Sequence, residues 1–206
     1  MTTIDAILSV KEFLEKNVCP KIELLVPNTK DGKNYVEKYA NPNVFAFFEP
    51  ENGRLPKGVE YSTPNIIVQM TQGTDNLATL EKRIDIVLAF STWRPGEYRQ
   101  IHDMNFEKIE VEESGVKIEF SGKKDTTLVR NEDGWQDVYN LMELTKKEIV
   151  SEGEIGEFAL NPTEIKYGPY SKDGALVDFY PYYHLWMSFT LTSIPTPMAR
   201  DIDELL

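Results

Sequence analysis

Three long runs constrain this chain more than any other feature. In "YYHLWMSFTLTS", Leu185, Met187, Phe189 and Leu191 alternate with Trp186, Ser188, Thr190 and Thr192. In "EKRIDIVLAFSTW", Ile84, Ile86, Leu88 and Phe90 take one side, and Asp85, Val87, Ala89 and Ser91 the other. A period of two belongs to a strand, because successive side chains point to opposite faces of a sheet. A third run, "TPNIIVQMTQG", holds Ile66, Ile67, Val68 and Met70 between a proline and a glycine. That pattern reads as a strand buried on both faces, adjacent to the "EKRIDIVLAFSTW" strand at the centre of a sheet.

A sheet with an apolar face needs a second layer, and two segments have helical spacing. Over Thr3 to Val18, Ile4, Ile7, Leu8, Leu14 and Val18 fall near one stripe, with Glu12, Glu15 and Lys16 mostly off it. Thr2 or Thr3 can supply the N-cap oxygen, and Pro20 ends the segment. The second helix opens at "NEDGWQDVYNLMELTKKEI". Asp133 and Gln136 stand three apart, as in a capping box, and Asp137 puts a negative charge in the first turn. Trp135, Val138, Leu141, Met142, Thr145 and Ile149 form the apolar stripe, with Trp135 anchoring the start against the sheet; Glu143 and Lys147 are spaced for an i,i+4 pair.

The remaining segments are shorter. "KIELLV" and "NVFAFFEP" read as strands, separated by the turn-rich "PNTKDGKN" and followed by the loop "ENGRLPKG". In "FEKIEVEESGVKIEFSGK", Ile109 and Val111 match Val116, Ile118 and Phe120 across a turn at Gly115, which predicts a one-sided, protruding hairpin. One or two short strands follow in "IGEFALNPTEIKYGPY", then a polar loop, "GPYSKDGA". The expected fold class is α+β: a mixed, mostly antiparallel sheet flanked by two main helices, with an inserted β-hairpin and an extended C-terminal arm. One domain is expected over 1–193, with the insertion at about 106–123 and the arm at 194–206.

Charge and cysteine usage narrow the function classes. The net charge is −12, from 22 Lys and Arg against 34 Asp and Glu, and no dense basic stripe offsets it. Such a surface repels phosphate backbones, so no sequence-specific nucleic-acid binding is expected. Cys19 is the single cysteine, which rules out an intrachain disulfide and a cysteine-based zinc site and fits a reducing, intracellular setting. The N-terminal run lacks the pattern of a signal peptide, and apolar runs such as "IVLAF" are too short to span a bilayer. A soluble protein that is not exported and has no membrane partner is the expectation.

The candidate sites each have a structural explanation that outweighs a catalytic one. The Asp133–Asp137 cluster starts a helix. Glu112 and Glu113 are strand neighbours pointing to opposite faces, unlike the facing carboxylates of a glycosidase, and Asp201, Asp203 and Glu204 read as a solvated run. His102 and His184 are the two groups suited to proton transfer at neutral pH. His102 has no second histidine at metal-ligand spacing, and His184 lies among Tyr182, Tyr183, Leu185 and Trp186, where aromatic packing explains it. "GEIGEF" carries two glycines but no phosphate-loop lysine, there is no Gly-x-Ser-x-Gly elbow, and Cys19 has no histidine nearby in sequence. The expected catalytic, cofactor and metal sets are therefore empty: no enzyme and no cofactor.

The order of these motifs resembles that of tail terminator proteins, and related small neck and tail proteins, of phages and prophages of Firmicutes. The resemblance runs through the N-terminal helix, the proline-marked strand "TPNIIVQMTQG", the second central strand "RIDIVLAFSTWRPG", the helix opened by "DGWQD" and the closing strand "YPYYHLWMSFTLTS". It covers most of Pro64 to Ser193, with the hairpin at Phe106 to Lys123 as an addition. It implies a structural virion-assembly protein that forms a ring, commonly a hexamer, at the end of the tail tube. Its partners would be further copies of itself, the tail tube protein and the head connector or neck proteins. It would act in the host cytoplasm during assembly and then in the virion tail. Another neck, head–tail joining or minor tail protein, or a non-viral protein-binding module, is the alternative. An exposed hairpin and an extended arm suit contacts between subunits, and an acidic channel would let DNA slide without sticking.

Overall fold

The computed structural model describes residues 2–27, 38–51, 54–79, 81–102, 106–112, 115–120, 124–129, 132–161 and 164–193, with the stretches from 97 to 129 described by their backbone. Helix α1 spans Thr3–Asn17 and runs through a short 3-10 turn, Cys19–Lys21, into strand β1, Leu24–Leu25. Then come β2 (Tyr39–Ala40), β3 (Asn43–Ala46), β4 (Asn65–Asn76), β5 (Glu81–Trp93), β6 (Glu97–His102), β7 (Phe106–Glu112), β8 (Gly115–Phe120) and β9 (Lys124–Val129). Helix α2, Trp135–Glu152, precedes β10 (Glu154–Ile155), β11 (Phe158–Leu160), β12 (Lys166–Pro169), β13 (Ser171–Lys172), β14 (Ala175–Leu176) and β15 (Tyr182–Ser193).

The main sheet runs β10-β11-β15-β5-β4-β3, with β12 also paired to β15. Only β3 and β4 are parallel; the other pairs are antiparallel, and β4, β5 and β15 form the centre. The fold is therefore α+β, with two main helices and a mixed, mostly antiparallel sheet, as expected.

Register explains where the core sits. Ile66 lies opposite Phe90, and Phe90 opposite Leu185; Val68, Leu88 and Met187 form the next row, and Ile86 faces Phe189. These side chains are all buried and share one core with Ala6, Val10 and Leu14 of α1 and with Val138, Leu141, Met142 and Ile149 of α2. Both helices thus cover the same face of the sheet, giving two layers. Each fully buried Ile, Leu or Phe contributes roughly 1.5–3 kcal/mol relative to leaving it in water. The opposite face carries Ile67, Ala89 and Trp186, all half-buried, so the reading of β4 as buried on both faces holds fully for one face only.

The helices depart from the sequence reading in detail. In α1 the N-cap is Thr2, and its hydroxyl accepts from the Asp5 N–H at 3.2 Å while Asp5 accepts from the Thr2 N–H at 2.6 Å, a complete capping box. Its buried face is Ala6, Ile7, Val10, Phe13 and Leu14; Ile4 and Leu8, expected inside, are 66% and 51% exposed. The stripe is set by the sheet, which α1 meets on a side rotated from the one that the sequence reading favoured. Asn41 fixes the helix end by donating to the carbonyls of Cys19 at 2.9 Å and Ile22 at 2.8 Å.

The run after β5 forms paired ribbons. β6 pairs with β9 along its length, from Glu97 opposite Val129 to His102 opposite Lys124, and between them β7 pairs with β8. Ile109 faces Ile118 and Val111 faces Val116, the hairpin register the sequence predicts. The expected loop "GPYSKDGA" contains a small hairpin of β13 and β14, turning at Asp173 and Gly174. The expected arm at 194–206 lies outside the described residues.

Candidate functional site

The acidic cluster before α2 is built around a close approach rather than a cap. The N-cap is Gly134, with no side-chain cap bond; Asp133 instead accepts from the Gln136 side chain at 3.3 Å, and its carbonyl accepts from the Gln136 N–H at 3.0 Å. The expected capping box is therefore not what starts the helix: Gly134 is the cap, and Asp133 and Gln136 meet side chain to side chain instead. The reason lies in packing. A Cβ on Gly134 would stand 2.9 Å from the Tyr183 ring and 3.0 Å from the Arg94 Cβ, so the start of α2 sits directly on the ends of β5 and β15. Trp135, expected to make that anchor, is 48% exposed and instead packs edge-on against Tyr139, with ring centroids 5.5 Å apart. Glycine at 134 makes the contact, and the indole turns outward.

Asp137 completes this corner. Its carboxylate lies 3.6 Å from the Arg94 guanidinium. Burial pushes its pKa up, and Arg94 only partly opposes that. Nearby, the Tyr180 hydroxyl donates to the Pro95 carbonyl, tying the chain before β15 to the end of β5. The pair Arg94–Asp137 thus joins α2 to the sheet where the chain leaves for β6 and returns from β9. Further along α2, Lys146 rather than Lys147 pairs with Glu143, at 2.6 Å, and lies over the Tyr167 ring at 4.5 Å.

His184 stands on the sheet face turned away from the helices. Its ring meets Phe179 edge-on at 5.0 Å and stacks on Tyr182 at 6.3 Å. Burial lowers its pKa, against the pull of Glu49 and of the Phe90 carbonyl, so the imidazole is neutral at pH 7. Its ring contacts are Phe179 and Tyr182, and Glu49 acts on it through its charge. Cys19 is buried between α1 and β1, and burial, with the Glu15 carboxylate nearby, pushes its thiol up to about 12. A thiol so placed stays protonated at neutral pH.

The other sequence candidates divide. The two glycines of "GEIGEF" are structural: Gly153 ends α2 at φ 72° and Gly156 turns β10 into β11 at φ 63°. His102 and Glu112 lie on β6 and β7, where the backbone alone is described, and Glu113, Asp201, Asp203 and Glu204 lie outside the described residues. Among the described residues no group of three or more His, Cys, Asp or Glu is placed to hold a metal, and no helix is long and apolar enough to cross a membrane.

The sequence reading passed over two features. A groove of about 710 Å³ follows the free edge of β3, between Lys11 and Glu15 of α1 and the loop carrying Phe48, Pro50 and Pro56. The Asn43 and Phe47 N–H groups donate to the carbonyls of Pro64, just before β4, and of Val68 on β4, so alternation turns the main chain of Val44 and Ala46 outward. Asn65, at the start of β4, is completely buried; its Nδ2 donates to the Ser62 carbonyl at 2.9 Å and its Oδ1 has no partner. A polar side chain after proline reads as a turn residue, and only the three-strand register shows it to be covered. No protein-family model matches this chain, and no curated protein matches it at a significant level.

Proposed function

We propose that this chain is a structural subunit of a phage or prophage tail, acting as a tail terminator that forms a ring at the end of the tail tube and joins it to the head connector. The observation that carries this reading is the order of elements: β4, β5, a helix seated through Gly134, and β15, which pairs with β5 along its length. That order is the one on which the resemblance rests. Two features of the surface support a role in assembly. β3 and β10 end the main sheet at opposite sides, and unpaired edges are sites at which further strands add. Two different edges on one subunit also permit a heterologous, head-to-tail contact, the kind that closes into rings. A net charge of −12 suits a ring through which DNA passes without being held.

The test is native mass spectrometry with negative-stain microscopy on the full chain, alone and mixed with purified tail tubes. Rings, free or capping tube ends, are the expected result. A protein that stays monomeric in both preparations sinks the proposal.

A further inference from the structure

The sheet face turned away from the helices carries a cavity of about 280 Å³ at the end where β4 and β15 begin and β5 finishes. Its floor follows from register: Asn65 lies opposite Ser91, and Ser91 opposite His184, with Ile67 opposite Ala89 one step along. Phe179 and Tyr170, from the chain between β12 and β15, wall one side, and Glu49, from the loop after β3, stands at the rim. The volume lies at the small end of ligand sites, enough for a compact molecule or one long side chain.

The polar lining of this space is Glu49, His184, Asn65 and the hydroxyls of Ser91 and Tyr170, and its one formal charge is negative. Glu49 is an exposed carboxylate and accepts hydrogen bonds only. His184 is held neutral by burial, and the Phe90 carbonyl beside its ring favours the proton on the nearer nitrogen, which leaves the other nitrogen as an acceptor. Asn65 lies beneath the floor, completely buried, with its Nδ2 donating to the Ser62 carbonyl. No Lys or Arg lines the cavity to neutralise Glu49 from within. The remaining walls are hydrocarbon and aromatic: Ile67, Ala89 and Phe179. Aromatic faces beside a carboxylate favour a cation with an apolar body.

We propose that this cavity binds an organic cation, an ammonium or guanidinium on a compact apolar stem, with the charge at Glu49, a donor toward His184, and the stem against Ile67, Ala89 and Phe179. The cation can come from two sources with the same chemistry: a free amine, or a Lys or Arg side chain of a protein bound to this face. The proposal does not depend on ring formation.

The experiment is titration of the full chain, followed by amide NMR shifts and calorimetry, with benzylamine and butylguanidinium as free cations. Capped lysine and arginine amides represent a protein side chain, and benzyl alcohol and benzoate are the neutral and anionic controls. Saturable binding of cations is expected, with shifts centred on residues 65–67, 89–91 and 184, and benzyl alcohol weaker by about tenfold or more. Glu49→Gln, at an exposed position, should weaken cation binding by about tenfold and leave the circular dichroism and unfolding midpoint unchanged. Ala89→Leu, which fills the floor, should abolish it, with folding checked by the same spectra. Binding of the capped amides without the free amines assigns the site to a protein side chain, and the reverse assigns it to a small molecule; either supports the proposal. Equal binding of benzyl alcohol or benzoate, an unchanged affinity in Glu49→Gln, or no cation binding at millimolar concentration overturns it.

Discussion

His184 is half-buried between Phe179 and Tyr182, and burial lowers its pKa below the ordinary value. The sign of the consequence follows from linkage. In the unfolded chain the imidazole takes a proton near pH 6.5, whereas in the folded chain it does so only at lower pH. The stability is therefore complete above about pH 6.5 and is lost as pH falls through that value toward the folded pKa. The groups that face the ring, Glu49 and the Phe90 carbonyl, pull the other way and are outweighed. Urea midpoints at pH 7.5 and 5.5 should differ, with the lower pH less stable, and His184→Gln should flatten the difference. An equal slope in wild type and variant would show that His184 does not set it. The sequence already placed this histidine among aromatics. Asn65 was not legible in the same way, since its burial follows from the register that sets it opposite Ser91 and, beyond that, His184, more than a hundred residues along the chain.

At the scale of elements, the long strands were legible because alternation is recorded residue by residue, and the pairing of β4 with β5 needed only that they follow one another. The helices were legible as helices but not in their orientation. α1 offers Ile4 and Leu8 as well as Val10 and Phe13, and only the position of β3, β4 and β10 decides which side is inside. α2 poses the same problem at its start, where Trp135 is the larger apolar group and Gly134 makes the closer contact. The backbone of Gly134 is ordinary helix, φ −58°, so its requirement is steric, not conformational. Gly134→Ala should cost about 1–3 kcal/mol by overpacking against Tyr183 and the Arg94 Cβ, read as a lower urea midpoint. Gly153 gives the contrast. It sits in the left-handed region with open space around its Cα, so Gly153→Asn should be tolerated within about 1 kcal/mol. A Gly134→Ala variant as stable as wild type would remove the close seating of α2 from the account.

For the whole molecule, the instructive region is the excursion between β5 and α2. The sequence signalled a hairpin at 106–123, because Ile109, Val111, Val116 and Ile118 alternate around a glycine. It did not signal the outer ribbon, since β6 and β9 pair across more than twenty residues and neither alternates cleanly. The chain leaves the body at Arg94 and returns at Gly134, and these two residues are in near contact. An excursion whose ends meet is one whose removal leaves the surrounding strands and helix joined at their natural distance. Replacing 97–129 with a short Gly-Ser linker, while keeping Arg94, Pro95 and the Gly134 seat, should therefore preserve a single cooperative unfolding transition with a midpoint near that of the full chain. Under the assembly proposal the same variant carries a second expectation. If the ribbon reaches a neighbouring subunit, the excised protein should remain folded but fail to form rings, as read by native mass spectrometry beside the full chain. If rings form in the full chain and persist in the excised one, the subunit contacts lie on the sheet edges at β3 and β10. Loss of cooperative folding would instead show that the ribbon belongs to the body's core, which the close approach of Arg94 and Gly134 argues against.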